Sequence, residues 1–203
     1  MRQETAGVTE ALLESAKKEF LKCGFHNANL RRISADSGVS TNSIYTRFGD
    51  KAGLFSAVVK PAADGLMKMY LECIEEATRC ESAAKATDMG NDGTELVLKY
   101  IYDNFDVFKL IFCNSAGTEY EGYFDNLAAI EEKYYREFVK QFSRRENTVN
   151  DFFIHVICRT GWSYVYEVVS HDVPYDEAET FMASIKEFNY AGWKCVLGVE
   201  DMF

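Results

Sequence analysis

Apolar residues recur every three or four positions along almost the whole of this 203-residue chain, and this spacing constrains its fold more than any other feature. In the first segment Val8, Leu12, Ala16 and Phe20 repeat at i+4, which places them on one face of a helix. Period-2 alternation, the pattern of a half-buried strand, is nowhere sustained. The spacing therefore predicts an all-α protein.

The later segments predict a long fourth helix after Asp50 and further helices over about 94–104, 105–114, 119–145, 148–170 and 176–197. Pro61 lies inside the fourth helix, where it removes the hydrogen bond to Ala57 and crowds that carbonyl. Gly65 follows closely, so we expect a bend or break there, and the segment from Pro61 to Gly65 would be a hinge. Residues 78–93, which contain Gly90 and Gly93, are predicted to form the longest loop.

The last two predicted helices carry apolar residues on more than one side. A helix that is apolar on two sides must be covered on two sides, and a second subunit can provide one of those covers. Gly161 and Gly192 are tolerable in mid-helix if they let helices approach closely. We expect a homodimer built on a four-helix interface.

The sequence argues against a membrane helix, a signal peptide, a zinc site and a disulfide framework. No apolar run approaches the roughly 20 residues of a membrane helix, and the N-terminus lacks the apolar stretch of a signal peptide, which predicts a cytoplasmic protein without a membrane partner. The six cysteines are scattered without a C-x-x-C pair. Their spacing fits neither a zinc site nor a disulfide framework, and buried reduced thiols are the simpler interpretation.

Charge is unevenly distributed along the chain. The formal net charge is -10, yet residues 1–60 carry nine basic and six acidic side chains, a balance of +3, which leaves -13 for the remainder. This asymmetry is typical of a protein whose one end meets a polyanion.

The segment GVSTNSIYTRFGDK, residues 38–51, contains the clearest motif. Asn29 is a plausible N-cap for a short second helix that ends at Gly38, and Ser40 for a third helix that ends at Phe48. Ile44 and Phe48 lie four residues apart and can anchor the third helix. The other faces then present polar side chains, as in a helix-turn-helix whose second helix enters the major groove of DNA.

Residues 8–60 resemble the TetR family of bacterial transcriptional regulators. The resemblance is carried by ALLESAKKEFLKCGFHNANLRRISADSGVS and SIYTRFGDKAGLFSAVV. Five linked elements occur in order: Gly-Phe before helix two, Arg-x-Ile, Ala-x-Ser-Gly-Val-Ser, Ile-Tyr-x-x-Phe and Lys-x-x-Leu-Phe. Two positions depart from the family: Arg32 replaces a residue that is often acidic, and Pro61 interrupts a connecting helix that is usually continuous.

The resemblance implies a three-helix head with a helix-turn-helix at about residues 29–48, joined to a C-terminal helical bundle that dimerises through its last two helices. Residues 1–60 would bind DNA, and 61–203 would bind ligand and dimerise. The family residues carried over as DNA-binding are Arg31, Thr41, Asn42, Ser43, Tyr45, Thr46, Arg47 and Lys51. Short Thr, Asn and Ser side chains suit base edges, whereas Tyr45, Arg47 and Lys51 suit phosphates.

The C-terminal part is rich in aromatic residues. Any one of them, taken singly, indicates core packing. Together with polar tips they are typical of a small-molecule pocket, here for a flat or amphipathic apolar ligand. The residues expected to bind it are Tyr70, Phe105, Phe108, Phe112, His155, Arg159, Trp162 and Tyr166. Arg159 could meet either a ligand anion or an internal acid such as Glu167.

These observations predict a ligand-responsive transcriptional regulator, a repressor released from a palindromic double-stranded DNA operator by a small effector. No P-loop or dinucleotide fingerprint occurs, and we expect no catalytic residue, metal or cofactor. One alternative is a helical sensor or carrier that does not bind DNA. Another is a thiol-based redox-sensing regulator that uses Cys113 or Cys158.

Overall fold

The computed structural model describes residues 7–145 and 149–199, and for residues 83, 84, 87, 88 and 91 only the backbone. The described residues form nine α-helices and no strand, which confirms the predicted all-α class. The helices are α1 (Val8–Asn27), α2 (Leu30–Ser37), α3 (Thr41–Phe48), α4 (Lys51–Thr78), α5 (Ala83–Asp103), α6 (Phe105–Cys113), α7 (Tyr123–Phe142), α8 (Asp151–Ser170) and α9 (Tyr175–Leu197).

The chain forms two compact units that are not contiguous in sequence. The first contains Met1–Gly65 and Asn104–Tyr123, and the second contains Leu66–Asp103 and Phe124–Phe203. Thus α6 belongs to the first unit, where it packs against α1. The functional division at residue 60 stays a prediction.

The first unit is built on the apolar stripe of α1. Leu12 and Phe20 are fully buried with Ile44 and Phe55, and the rings of Phe20 and Phe55 meet edge to face with centroids 5.0 Å apart. Gly24 interrupts α1, because its φ of 70° and ψ of 165° lie outside the helical region. Such a conformation favours glycine.

The predicted loop over 78–93 is wrong, because α5 begins at Ala83 and continues to Asp103. Gly90 and Gly93 suggested a turn, yet both lie inside this helix, where each costs about 1 kcal/mol relative to alanine. Gly93 permits a close approach of α5 to α4, since a Cβ there would lie 3.4 Å from the Cβ of Cys73. Packing therefore overrides the low helix propensity of glycine.

A break at Pro61 is also wrong, because α4 continues through this residue without interruption. Pro61 is exposed, so the Ala57 carbonyl that loses its helical partner has solvent at hand. The bend, and with it a hinge between Pro61 and Gly65, stays a prediction.

The remaining helices were predicted to within a few residues. α6, α8 and α9 lie where the periodicity places them, whereas α7 is shorter than the predicted 119–145. The predicted start of α8 at residue 148 lies outside the described residues. Within the described chain, no helix is long and apolar enough to cross a membrane.

Candidate nucleic-acid interface and ligand cavity

Hydrogen-bonded caps define both helices of the predicted helix-turn-helix. The Asn29 side chain accepts from the Arg31 N–H at 2.9 Å, and the Ser40 hydroxyl accepts from the Ser43 N–H at 3.2 Å. Gly38, with φ 70°, ends α2 in the left-handed region, and Val39 is buried in the turn. The sequence-based prediction of this motif at about residues 29–48 thus agrees with the backbone.

Position 32 carries no acid in this chain, and Glu19 of α1 provides the hydrogen bond that such an acid would make. In a capping box, an acid three residues after the N-cap accepts from the N-cap N–H, but Arg32 occupies that position. Instead, Glu19 Oε1 accepts from the Asn29 N–H at 3.0 Å and lies 3.5 Å from the Arg32 guanidinium. Glu19 therefore caps α2 from outside and balances the extra charge of Arg32.

α3 separates an apolar anchor from a polar outer face. Ile44 is fully buried, and Phe48 is half-buried. On the opposite side Asn42, Tyr45 and Thr46 are exposed, and Tyr45 keeps 53% of its surface in solvent. The spacing of Ile44 and Phe48 turns these polar side chains outward together.

Some predicted DNA-binding side chains already have partners within the first unit. The Thr46 hydroxyl donates to the Asn42 carbonyl at 2.8 Å, and the Arg47 guanidinium donates to the Thr9 hydroxyl at 3.0 Å. The Lys51 ammonium donates to the His26 and Ala28 carbonyls at 2.8 and 3.3 Å.

The Lys51 ammonium also lies 4.8 Å from the ring centre of Phe25. This lysine thus joins α4 to the end of α1, and it would have to leave those carbonyls to reach a phosphate. Arg31, by contrast, is exposed on α2, while Thr41 and Ser43 are half-buried at the start of α3. The assignment of the eight residues to DNA contact stays a prediction.

A cavity of about 200 Å³ lies within the second unit, among α4, α5, α7, α8 and α9. The Tyr70 and Trp162 rings meet edge to face with centroids 5.2 Å apart, and Tyr135 stacks on Trp193 at 4.9 Å. The aromatic side chains on its wall include Tyr70, Tyr134, Tyr135, Phe138, Trp162 and Trp193. The wall is therefore rich in aromatic side chains, as in many small-molecule sites.

Three polar atoms on this wall are buried without a hydrogen-bond partner in the described structure: the Tyr70 hydroxyl, Glu131 Oε2 and Trp162 Nε1. Burial raises the pKa of Glu131 from 4.5 to about 8, and the indole N–H of Trp162, which lies near the carboxyl group but outside hydrogen-bond geometry, opposes this rise. A carboxyl group in such surroundings favours its neutral form. Buried polar atoms are normally paired, so water or a ligand can supply partners to these three atoms.

The phenols around Glu131 are held neutral. Burial, and then the nearby Glu131 carboxylate, raise the pKa of Tyr70 and of Tyr135 well above the ordinary value of 10. The same burial raises the pKa of Tyr134 to about 12. Near neutral pH these hydroxyls are hydrogen-bond donors and acceptors without charge.

Of the eight predicted ligand-binding residues, Tyr70 and Trp162 line this cavity. Phe105, Phe108 and Phe112 lie on α6 in the first unit, where Phe108 is fully buried and packs against Phe112. The structure therefore does not bring these three rings to the cavity wall, because α6 packs with α1.

The polar residues predicted on α8 have partners on α7 instead. His155 Nδ1 lies 2.7 Å from Glu132, and the Arg159 guanidinium donates to Asp125 at 2.5 Å. Arg159 thus pairs with Asp125 rather than with Glu167, and its contact with a ligand anion stays a prediction. Tyr166 is partly exposed beside Phe124.

The two candidate redox cysteines differ in environment. Cys158 is buried, and this burial, with the nearby Glu131 and Glu132, raises the pKa of its thiol. A raised pKa disfavours the reactive thiolate. Cys113 is exposed.

Sequence reasoning missed Glu131, which lies among other charged residues in IEEKYYREF. A signal was nevertheless present. Leu127, Glu131, Tyr134 and Phe138 follow one another at spacings of four, three and four, so the acid interrupts an apolar face of α7. Such an acid on a buried face is a candidate for a functional group.

Comparisons with known proteins agree with the predicted motif. Residues 12–58 match the model of the family described as bacterial regulatory proteins, tetR family. The transcriptional repressor AcnR of Corynebacterium glutamicum is 32% identical over 63 residues, which are 31% of this chain and 34% of AcnR. The match thus spans about a third of the length of that curated relative.

Two solved structures share the fold over nearly the whole chain. A protein of Syntrophomonas wolfei described as a TetR-family transcriptional regulator aligns with a TM-score of 0.62 and 15% identity, over 95% of this chain and 96% of its own. A TetR-like transcriptional regulator from Rhodococcus sp. RHA1 gives 0.59 and 18%, over 94% and 100%. At such identities the likeness concerns the fold.

The resemblance predicted from the sequence is therefore confirmed: residues 12–58 belong to the TetR family of bacterial regulatory proteins, and the chain has the fold of solved TetR-family regulators.

Proposed function

We propose that this protein is a homodimeric DNA-binding repressor whose affinity for a palindromic operator is lowered by a small molecule in the cavity of the second unit. The observation that carries the proposal is the polar outer face of α3, supported from behind by the buried Ile44 within the family-matched segment. A repressor also matches this segment over 63 residues.

The outer face of α3 suits the major groove because its exposed side chains are short or planar hydrogen-bonding groups. Asn42 lies in the first turn of α3 and is exposed, and an asparagine can contact adenine through two hydrogen bonds. Tyr45 and Thr46 extend the same polar surface. The N-terminal part of a recognition helix is the part that contacts base edges.

Exposed apolar residues on the last two helices support dimerisation. On α8, Phe152 keeps 73% of its surface exposed, and Val156 is exposed four residues later. On α9, Phe188 is 70% exposed, and Phe181 is exposed seven residues earlier. Exposed apolar side chains in such number are typical of a protein interface, and a two-fold dimer would cover them with a second copy of the same helices.

Effector control is supported by the aromatic cavity and its unsatisfied polar atoms. A ligand shifts DNA affinity only if it binds two conformations of the regulator with different affinities. All residues that line the cavity belong to the second unit. A ligand bound there therefore occupies a site separate from α3.

Selection of bound duplexes from a random-sequence DNA pool tests the function. We expect the wild-type protein to enrich an inverted repeat with half-sites about 34–36 Å apart or slightly more. Asn42→Ala should weaken binding to the enriched duplex by about 1–3 kcal/mol, while Glu137→Gln on α7 should leave binding unchanged. Failure to enrich any sequence with a dimeric, folded protein would contradict the proposal.

A further inference from the structure

The ligand cavity contains buried polar atoms that have no hydrogen-bond partner in the described structure. Tyr70 and Trp162 are 8% and 5% exposed, and their polar atoms, together with Glu131 Oε2, lack hydrogen-bond partners in the described structure. All three residues line the same cavity. Because buried polar groups are normally paired, a ligand for this cavity should offer a donor to the carboxylate.

The charges on the wall favour a cation. Among the described residues that line the cavity, Glu131 carries the carboxyl group and Lys186 the basic group. The Lys186 ammonium already lies 2.5 Å from Glu95 Oε1, so its charge is balanced. Glu131 Oε2 has no such partner among the described residues, which leaves its carboxylate as the group available to a ligand charge.

We propose that the cavity binds a small amphipathic amine, whose protonated nitrogen donates to Glu131 Oε2 and whose apolar body packs against Tyr70, Tyr135 and Trp162. A charge-assisted hydrogen bond is stronger than a neutral one, and aromatic faces attract an ammonium group. The inference deepens the proposed function by assigning a chemical class to the effector of that same site.

Space beside the carboxylate is consistent with this assignment. A Cβ built on Gly161 would lie 4.0 Å from Glu131 Oε2, so the glycine leaves the carboxylate open on the side of α8. Gly161→Ala would place a methyl group in ordinary contact with this oxygen. We therefore expect this substitution to weaken amine binding without removing any charge.

Protonation of Glu131 makes the inference sensitive to pH. Its pKa of about 8 means that the empty site is mostly neutral at pH 7, whereas a bound ammonium favours the carboxylate. Binding at pH 7 should therefore release close to one proton. From pH 7 to pH 9 the affinity for an amine should rise about tenfold, since an alkylammonium group stays protonated over this range.

Burial favours the uncharged form of the phenols and thiols that face Glu131. Burial raises the pKa of each neighbouring phenol and thiol, on α4, α7 and α8, above its ordinary value. These groups are Tyr70, Cys73, Tyr134, Tyr135 and Cys158. On α9, Lys186 stays paired with Glu95 of α5.

Three probes that share one apolar body test the inference: 4-phenylbutylamine, 4-phenylbutanol and 4-phenylbutyrate. The chain has two tryptophans, Trp162 and Trp193, and both line the cavity, so their fluorescence reports binding directly. At pH 9 we expect the amine to bind at least tenfold more tightly than the alcohol. Titration calorimetry in two buffers of different ionisation enthalpy should show the proton release at pH 7.

Glu131→Gln should remove the preference for the amine and its pH dependence, whereas Glu137→Gln on the exposed face of the same helix should retain both. If Glu131→Gln does not fold, the pH dependence of the wild-type protein and the Gly161→Ala variant still decide. Equal binding of the amine and the alcohol, tighter binding of the butyrate, or no binding of any probe would overturn the inference.

Release of the selected operator separates this inference from the proposed function. If the amine binds with the expected pH dependence but does not release the operator, the inference holds and the proposed effector control fails. If the butyrate or the alcohol binds and releases the operator while the amine does neither, effector control holds and the amine assignment is overturned.

Discussion

Replacing Glu131 by glutamine should change how stability depends on pH. Folding raises the pKa of this carboxyl from 4.5 to about 8 because burial disfavours its charged form. Since the folded state holds the proton more tightly than the unfolded state, the stability contributed by protonated Glu131 is present below pH 4.5. It is lost as the pH rises towards 8 and above.

The size of this loss follows from the two pKa values. The full difference corresponds to roughly 5 kcal/mol at about 1.36 kcal/mol per pH unit. Between pH 6 and pH 8.5, which keeps this acidic chain away from its isoelectric point, we expect about 2.5 kcal/mol. Glu131→Gln cannot ionise, so it should not show this component.

Urea unfolding at pH 6, 7, 8 and 8.5 measures the effect, with wild type, Glu131→Gln and Glu137→Gln compared at each pH. The three histidines and six cysteines are common to all three proteins, so their titration cancels in the comparison. We expect wild type and Glu137→Gln to lose about 2.5 kcal/mol more than Glu131→Gln over this range. Parallel curves for all three proteins would refute the assignment of a buried, neutral Glu131.

Three other substitutions test the first unit and the long helix. Ile44→Ala should lower the free energy of unfolding by about 2–5 kcal/mol, because Ile44 is fully buried behind the α3 surface; an unchanged melting curve would contradict that packing. Glu19→Ala should lower the free energy of unfolding by roughly 1 kcal/mol, because it removes the acceptor for the Asn29 N–H. The control Glu14→Ala breaks ion pairs with Lys17 and Lys18 and should lower the free energy of unfolding less in the same urea titration. Pro61→Ala should stabilise the protein by about 3 kcal/mol or less, since α4 is continuous there. The same substitution should change the response to effector more than it changes operator binding without effector. An unchanged induction curve would count against a hinge.

The helix-turn-helix could be predicted from the sequence because its signals are local. Asn29, Gly38 and Ser40 cap the helices through their own neighbours, and Ile44 and Phe48 mark a helix face by spacing alone. The cap from Glu19 could not be predicted in this way, because it depends on how α1 packs against α2. The sequence shows only its counterpart, which is Arg32 at the position where a capping acid is often found.

The structure differs from the sequence-based expectations where packing outweighs local preference. Gly93 suggested a loop, but its lack of a side chain lets α5 approach Cys73. Aromatic residues predicted a cavity in general, yet the assignment of α6 to the first unit moved three of the chosen rings away from it. Glu131 resembled a solvated acid until the fold placed it among Tyr70 and Trp162.

The most direct test of the central claim compares specificity rather than affinity alone. A variant with Asn42, Tyr45 and Thr46 replaced by alanine would be titrated by fluorescence anisotropy against the selected duplex and a scrambled duplex. A triple alanine variant at Lys133, Glu137 and Lys140, exposed on α7, serves as the matched control. We predict that the α3 variant keeps the melting temperature of wild type but loses discrimination between the two duplexes, whereas discrimination retained by a folded α3 variant would contradict recognition of DNA by α3.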